Sequence, residues 1–216
     1  MRVQAVFFDV GETLVDETGT WSRWAEWLGV TRLTLFAALG AVVARGGRHR
    51  EVFELVRPDL DFGEVLRRRA GGHVGFTVDD LYPDALPCLL AVRERGYRVG
   101  VAANQPPEAA DVLRRSGLPF EWLLISEVEG VHKPHPAFFA RILQVSGLPA
   151  EAVAYVGDRV DNDVVPAAEA GMVAVHVRRG PWGVLQWDWP GAERAALRVG
   201  SLAELPDRLG ARPAGA

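Results

Sequence analysis

The sequence predicts an α/β fold: a doubly wound parallel (Rossmann-like) sheet core with a small all-helical cap domain. Three observations carry this reading. Short apolar runs recur along the chain, helical stretches punctuated by Pro and Gly lie between them, and a strand-free segment follows the first run.

Val3–Phe8 is a nearly unbroken apolar run, the pattern of a strand buried on both faces of a parallel sheet. From Thr20 to Ala70 the chain reads instead as amphipathic helices: Thr20–Leu28, Thr31–Arg45, Glu51–Arg57 and Phe62–Ala70. Gly29, Gly46-Gly47 and Pro58 divide them. The glycine-rich stretch Ala70–Phe76 reads as a return hinge. Residues 1–16 with 78–216 are therefore expected to form the sheet core, and residues 17–77 a small helical domain.

Beyond the hinge, strand and helix alternate. Pro83 opens a helix through Leu86, Leu89, Leu90 and Val92 to Arg95, which Gly96 closes. A strand is expected at Arg98–Ala103, a helix at Pro106–Arg115 before Gly117, and a strand at Trp122–Ile125. A helix at Pro136–Val145 stops at Gly147, and further strands follow at Val153–Val156 and Val173–Val177. Such alternation demands right-handed crossovers. After Leu209 only a short Gly/Ala/Pro tail remains.

Composition narrows the function classes. With 216 residues, 49% of them hydrophobic and 24% charged, the chain has ample material for a core. A formal net charge of -4 and an isoelectric point near 5.8 argue against nucleic-acid or anionic-membrane partners. No apolar run reaches the ~18 residues of a membrane span. The N-terminal run ends in Asp9 and reads as a strand, not a signal peptide. A lone Cys88 excludes an internal disulfide and fits a reducing cytoplasm. Of the 24 basic residues only Lys133 is lysine, and asparagine occurs only at Asn104 and Asn162. GC-rich coding and a thermophile habitat account for that scarcity. They do not say where the survivors should lie.

In an open parallel sheet, ligands bind beyond the carboxyl ends of the strands. Two strands here run into acids, one into Asp9 and the other into Gly157-Asp158, with Asp161 and Asp163 following. Helix capping explains one such acid. Acids at two separate strand ends point to a compensating cation, and hard oxygen ligands completed by water suit Mg²⁺.

The order of motifs resembles the haloacid-dehalogenase superfamily of aspartyl-nucleophile hydrolases. Phe7-Phe8-Asp9-Val10-Gly11-Glu12-Thr13-Leu14 resembles its first motif and Val101-Ala102-Ala103-Asn104 its second. His132-Lys133-Pro134-His135-Pro136 resembles the third, and Gly157-Asp158 through Asp163 the fourth. The helical insert matches the family's cap after strand one. The resemblance implies Asp9 as nucleophile and a Mg²⁺ ion held by Asp9, the Gly11 carbonyl, Asp158 and Asp163. It implies that Lys133 neutralises Asp9 and the transferring oxygens, and that backbone N–H groups around Asn104 and Gln105 cradle a phosphate. The implied partner is a small phosphorylated substrate.

Two positions depart from the pattern. Gly11 stands where family phosphatases carry a general acid/base Asp, a loss of ~10²–10⁴-fold. Ala103 stands where they carry a Ser/Thr hydroxyl, a loss of about 0.5–1.5 kcal/mol. Glu12, Asp16, His132 and His135 are candidate replacements for the acid. Each also has a plain reading as a surface or turn residue. An acyl phosphate would need no acid. The rival readings are a weakly active or inactive member that binds Mg²⁺ and a ligand or protein partner, and a dehalogenase-like attack on carbon. The Gly157-Asp158 metal motif opposes the second.

Trp21, Trp24 and Trp27 recur at three-residue spacing on the first cap helix, which reads as a packed face. Trp21 or Arg23 is also placed to close over a substrate's leaving group. Trp182, Trp187 and Trp189 follow Arg178-Arg179-Gly180-Pro181 and fit either a homodimer surface or the cover of a sheet edge.

Overall fold

The structure, a computed structural model, describes residues 3–61, 63 and 75–210. It divides into two compact units, Met1–Asp16 with Leu81–Ala216, and Glu17–Asp80.

The first unit is built on six parallel strands: β1 (Ala5–Phe8), β2 (Arg98–Ala103), β3 (Trp122–Ile125), β4 (Val153–Gly157), β5 (Val173–Val177) and β6 (Leu197–Val199). Their order is β3-β2-β1-β4-β5-β6, so the direction of winding reverses between β1 and β4. Composition had signalled five of these strands. The sixth is only three residues long with Arg198 at its centre, too short and too polar to register as an apolar run.

Register sets which residues share a face. Phe7 is level with Gly100 on β2 and Tyr155 on β4. Phe7 lies flat over Gly100 and stacks on Trp122 of β3 at 5.3 Å. The same face carries Ala102, Leu124 and Ala174, packed against Phe138, Phe139 and Ile142. Those three aromatics and aliphatics belong to a helix over Pro136–Ser146 (hereafter the Pro136 helix), which begins on an N-cap His135 whose Nδ1 accepts from the Ala137 N–H at 3.1 Å. His135 thus caps the helix.

Two other helices of this unit start later than their prolines suggest. They run over Ala85–Glu94 and Ala109–Arg115, because the residues just after Pro83 and Pro106 form turns first. A π turn over Val160–Val164 continues into a short helix at Val165–Glu169. Another short helix spans Gly180–Leu185.

The second unit holds three helices among its described residues: Thr18–Leu28, Arg32–Ala44 and Glu51–Val56. Gly29 ends the first in the left-handed conformation, and Thr31 caps the second by accepting from the Thr34 N–H at 3.2 Å. The helix expected at Phe62–Ala70, the hinge glycines and the tail after Gly210 lie outside the described residues, apart from single positions such as Gly63 and Gly75. Trp21 and Trp24 both pack on Phe53, at 6.2 and 4.7 Å. Trp27 is 39% exposed. Three-residue steps lag a 3.6-residue turn, so the third tryptophan rotates off the buried face. No single described helix is long and apolar enough to cross a membrane.

The close seat of Phe7 on Gly100 yields a test. A Cβ at position 100 would stand 2.3 Å from Phe7 Cε1. Gly100→Ala is expected to lose about 1–3 kcal/mol, the usual cost of overpacking, read as a lower urea midpoint. An unchanged midpoint would show that the ring moves freely.

Candidate active site

Asp9 and Asp158 directly follow β1 and β4, the two strands at which the winding reverses. They therefore stand side by side at the crevice where open α/β sheets bind ligands. Asp163 joins them from the π turn. Its carboxyl group lies against the Gly157 backbone, where a Cβ would be only 2.4 Å from Asp163 Cγ. The glycine of Gly157-Asp158 is thus required by close approach, since any side chain would push Asp163 away. The Arg159 N–H holds Asp163 Oδ2 at 3.1 Å. Ligand atoms of Asp9, Asp158 and Asp163 all lie within 4.8 Å of one another.

Lys133 enters from the loop before the Pro136 helix. Its Nζ is 2.7 Å from Asp9 Oδ1 and 2.6 Å from Asp163 Oδ1. The Tyr155 ring lies 5.4 Å beneath the ammonium, and the Tyr155 hydroxyl donates to the Ala102 carbonyl at 2.7 Å. The Lys133 backbone is fixed as firmly as its head. Asn104 donates from Nδ2 to the Lys133 carbonyl at 2.9 Å and accepts the Lys133 N–H on Oδ1 at 2.8 Å. Both ends of the Asn104 carboxamide therefore serve to hold Lys133. The Gln105 N–H is directed at Ser126 Oγ, at 3.2 Å. The side chain of Asn104 and the N–H of Gln105 are thus both spent within the protein.

Burial and charge act against one another here. Burial pushes the Asp163 carboxyl up to about 6, against the pull of Lys133. Burial, reinforced by the charges of Asp163 and Asp9, holds Asp158 well above the usual carboxylate range. Burial alone would lower the Lys133 ammonium, but Asp163 and Asp9 outweigh it and keep it charged. Only Asp9 retains appreciable access, with 10% of its side chain exposed against 1% for Lys133 and Asp163.

The turn past Asp9 is pinned from its other side. Glu12 is buried, with φ at 52° in the left-handed region. The Tyr82 hydroxyl donates to its Oε2 at 2.6 Å, and Gly180 leaves the space its side chain fills. Arg179 donates to the Thr13 carbonyl at 2.9 Å, pairs with Asp84 and lies 4.0 Å over the Tyr82 ring. Glu12 is a buried structural acid and not the surface carboxylate its neighbours in sequence suggest. Tyr82 and Arg179 carried no sequence signal beyond their types. Asp161 points away from the cluster into a two-pronged pair with Arg159, at 3.2 and 2.6 Å.

The remaining expected residues have partners of their own. Trp21 is packed on Phe53, and Arg23 donates to the Gly75 carbonyl at 2.5 Å and to Thr20 Oγ1 at 3.3 Å, all within the helical unit. Trp182 is buried under Arg159 at 4.9 Å, and Trp187 packs on His176 and Arg198 at 5.0 and 4.0 Å. Trp187 is thus packed on residues of β5 and β6.

The donor set fits a hard divalent cation. Three carboxylates face one ammonium, and Asp158 Oδ2 is buried with no hydrogen-bond partner. An orphaned buried oxygen of this kind is costly unless a ligand meets it. Oxygen donors in small number, with water to complete the shell, are the preference of Mg²⁺.

Comparison with known proteins gives the family and the fold. Residues 3–171 match a family model described as haloacid dehalogenase-like hydrolase. A glyceraldehyde 3-phosphate phosphatase of Methanopyrus kandleri is 31% identical over 207 residues, covering 83% of this chain and 86% of that protein. A phosphoserine phosphatase of Thermus thermophilus is 38% identical over 128 residues, 58% of this chain and 49% of that one. In fold the chain is similar to a magnesium-bound HAD-hydrolase of Bacillus subtilis, with a TM-score of 0.74 at 18% identity over 97% of this chain and 100% of that one.

The raised carboxyls predict how a cation should bind. Mg²⁺ requires the deprotonated forms, so protons on Asp158 and Asp163 compete with it and binding releases them. Apparent Mg²⁺ affinity is expected to climb as pH rises through about 6. Calorimetry in buffers of different ionisation enthalpy should register the released protons. Affinity flat from pH 5 to pH 8 would contradict the assignment of these acids as ligands.

Proposed function

The chain belongs to the haloacid dehalogenase-like hydrolase family, and from that premise we propose that it is a Mg²⁺-dependent phosphatase acting on a small phosphorylated metabolite. The observation that carries this reading is the placement of Lys133, whose ammonium bonds Asp9 and Asp163 beside Asp158, whose Oδ2 has no hydrogen-bond partner. A bare carboxylate repels a phosphate. One whose charge is neutralised by a fixed ammonium at 2.7 Å can approach phosphorus.

Asp9, Asp158 and Asp163, with the Gly11 main-chain carbonyl, would hold the Mg²⁺. Bound there, the ion supplies charge neutralisation for the phosphoryl oxygens. The Asp9 carboxylate forms a bond to phosphorus as the bond from phosphorus to the leaving oxygen breaks, giving an aspartyl-phosphate. Water then attacks the same phosphorus, the Asp9–phosphorus bond breaks, and inorganic phosphate leaves with Asp9 restored. Lys133 stays charged throughout and accompanies the phosphoryl group between the two steps. The helical unit serves as the cap, with Trp21 and Arg23 as its candidate substrate contacts. The single thiol, Cys88, is buried and pushed up to about 12, which leaves it unreactive, and a lone cysteine fits a reducing cytoplasm.

The leaving oxygen has to acquire a proton, and Gly11 offers none. Glu12 is no substitute, since its carboxylate accepts from Tyr82. This favours leaving groups that depart unaided, such as a carboxylate from an acyl phosphate. The phosphatase names of the relatives support phosphate monoesters of small metabolites. A second reading, a member that binds Mg²⁺ and ligand with little turnover, rests on Gly11 and Ala103 together.

Phosphate release from acetyl phosphate, glyceraldehyde 3-phosphate and phosphoserine separates these readings. Wild-type protein is expected to hydrolyse at least one in a Mg²⁺-dependent manner, with acetyl phosphate fastest, and Asp9→Asn is expected to be inactive. The φ of Gly11 is not left-handed, so the backbone there suits an L side chain. Gly11→Asp should therefore raise monoester turnover toward the ~10²–10⁴-fold a positioned acid contributes. Activity retained in Asp9→Asn would overturn the mechanism. Mg²⁺ binding without turnover on any of the three would favour the binder.

A further inference from the structure

Of the four described histidines, His49, His132 and His135 are exposed and His176 is fully buried. It occupies the fourth place of β5 between Val175 and Val177, a slot that an aliphatic side chain would fill at no polar cost. Its Nδ1 is buried without a partner, so the imidazole is retained at some expense to stability. The hydrogen bond of the imidazole explains what it does. His176 Nε2 lies 2.9 Å from the main-chain oxygen of Asp158. A carbonyl can only accept, so Nε2 carries the ring proton and Nδ1 is bare.

That bond falls where the sheet stops helping. Gly157 is the last residue of β4 in register with β5, opposite His176 itself. The Asp158 carbonyl lies one residue beyond, and the imidazole extends the ladder to it. From the other direction the helix over Gly180–Leu185 closes in: a Cβ on Gly183 would stand 3.4 Å from both Asp158 Cβ and its oxygen. Trp187 packs on the imidazole at 5.0 Å and sets its plane, and Arg198 lies 4.0 Å over Trp187. The Asp158 side chain, by contrast, has a buried Oδ2 with no partner of its own. The direction of its carboxylate is thus set through its backbone.

We propose that His176 is a positioning residue for the cation site, its Nε2–H fixing the Asp158 peptide so that the carboxylate faces Asp9 and Asp163. The inference rests on the reading that Asp158 is a Mg²⁺ ligand. Groups that orient a ligand without touching the metal typically change affinity by ~10–100-fold. His176→Val suits the strand and removes the donor, whereas His176→Gln keeps an N–H.

The test is Mg²⁺ binding by calorimetry, with the melting temperature of each metal-free protein as the measure of packing alone. Wild type is expected to bind, His176→Val to bind about 10–100-fold more weakly, and His176→Gln to recover part of the loss. Equal Mg²⁺ affinity in wild type and His176→Val, whatever the melting temperatures, overturns the inference and leaves the cation site standing. No Mg²⁺ binding by wild type overturns the site and the inference together. A measurement without substitution guards against a variant that does not fold: ring ¹⁵N resonances of wild type should show His176 protonated at Nε2 and bare at Nδ1. The opposite tautomer overturns the inference.

Discussion

Three carboxylates and one ammonium share a buried corner at the end of a parallel sheet. Two of those carboxylates, 4.8 Å apart at most, repel by about 3–4 kcal/mol at an effective dielectric of ~20. Lys133 bonds to two of the three, and a single positive charge does not balance them. The surroundings are organised around this imbalance. Gly157 gives way to Asp163, Asn104 grips the Lys133 backbone at both ends, and Tyr155 supports the ammonium from below. Each of these spends a residue on exact placement of a charge. A structure that needed only stability would do better with apolar side chains in the same space.

The turn after the nucleophile shows the same economy of freedom. Glu12 sits in a conformation that L side chains rarely adopt, stabilised by the Tyr82 hydroxyl and by the room Gly180 leaves. Arg179 joins Thr13 on the outgoing chain to Asp84 on the returning one. Asp9 is thus fixed by Lys133 on one side and by a braced turn on the other. What this turn lacks is an acid at position 11. Position 11 has no side chain, and the nearest carboxylate in sequence is already occupied.

Much of this was legible in the sequence, for identifiable reasons. Strands buried on both faces show as apolar runs, and acids placed straight after such runs stand out, so Asp9 and Asp158 could be picked without coordinates. A lone lysine in a chain of arginines drew attention to Lys133. Asn104 was legible as a site residue but not in its part: a carboxamide that mimics backbone leaves no mark on sequence that separates it from one that binds ligand. His176 did carry a signal, a polar residue inside the apolar run Val173–Val177, though its partner is a main-chain atom that no pattern reveals. Tyr82, Asp84 and Arg179 are distant in sequence from the turn they hold, and Glu12 reads as exposed because its burial depends on them. Strand β6 was hidden by brevity. Trp27 departed from the packed face because three-residue spacing is only an approximation to the helical repeat.

The central claim is that Asp9 itself takes the phosphoryl group. Acid-quenching the protein during turnover of acetyl phosphate with Mg²⁺, then mapping its peptides by mass spectrometry, tests that claim most directly. The peptide bearing Asp9 should gain the mass of one phosphoryl group, and the gain should vanish in Asp9→Asn. Phosphate released at the full rate, with the Asp9 peptide unmodified at every time of quenching, would contradict it.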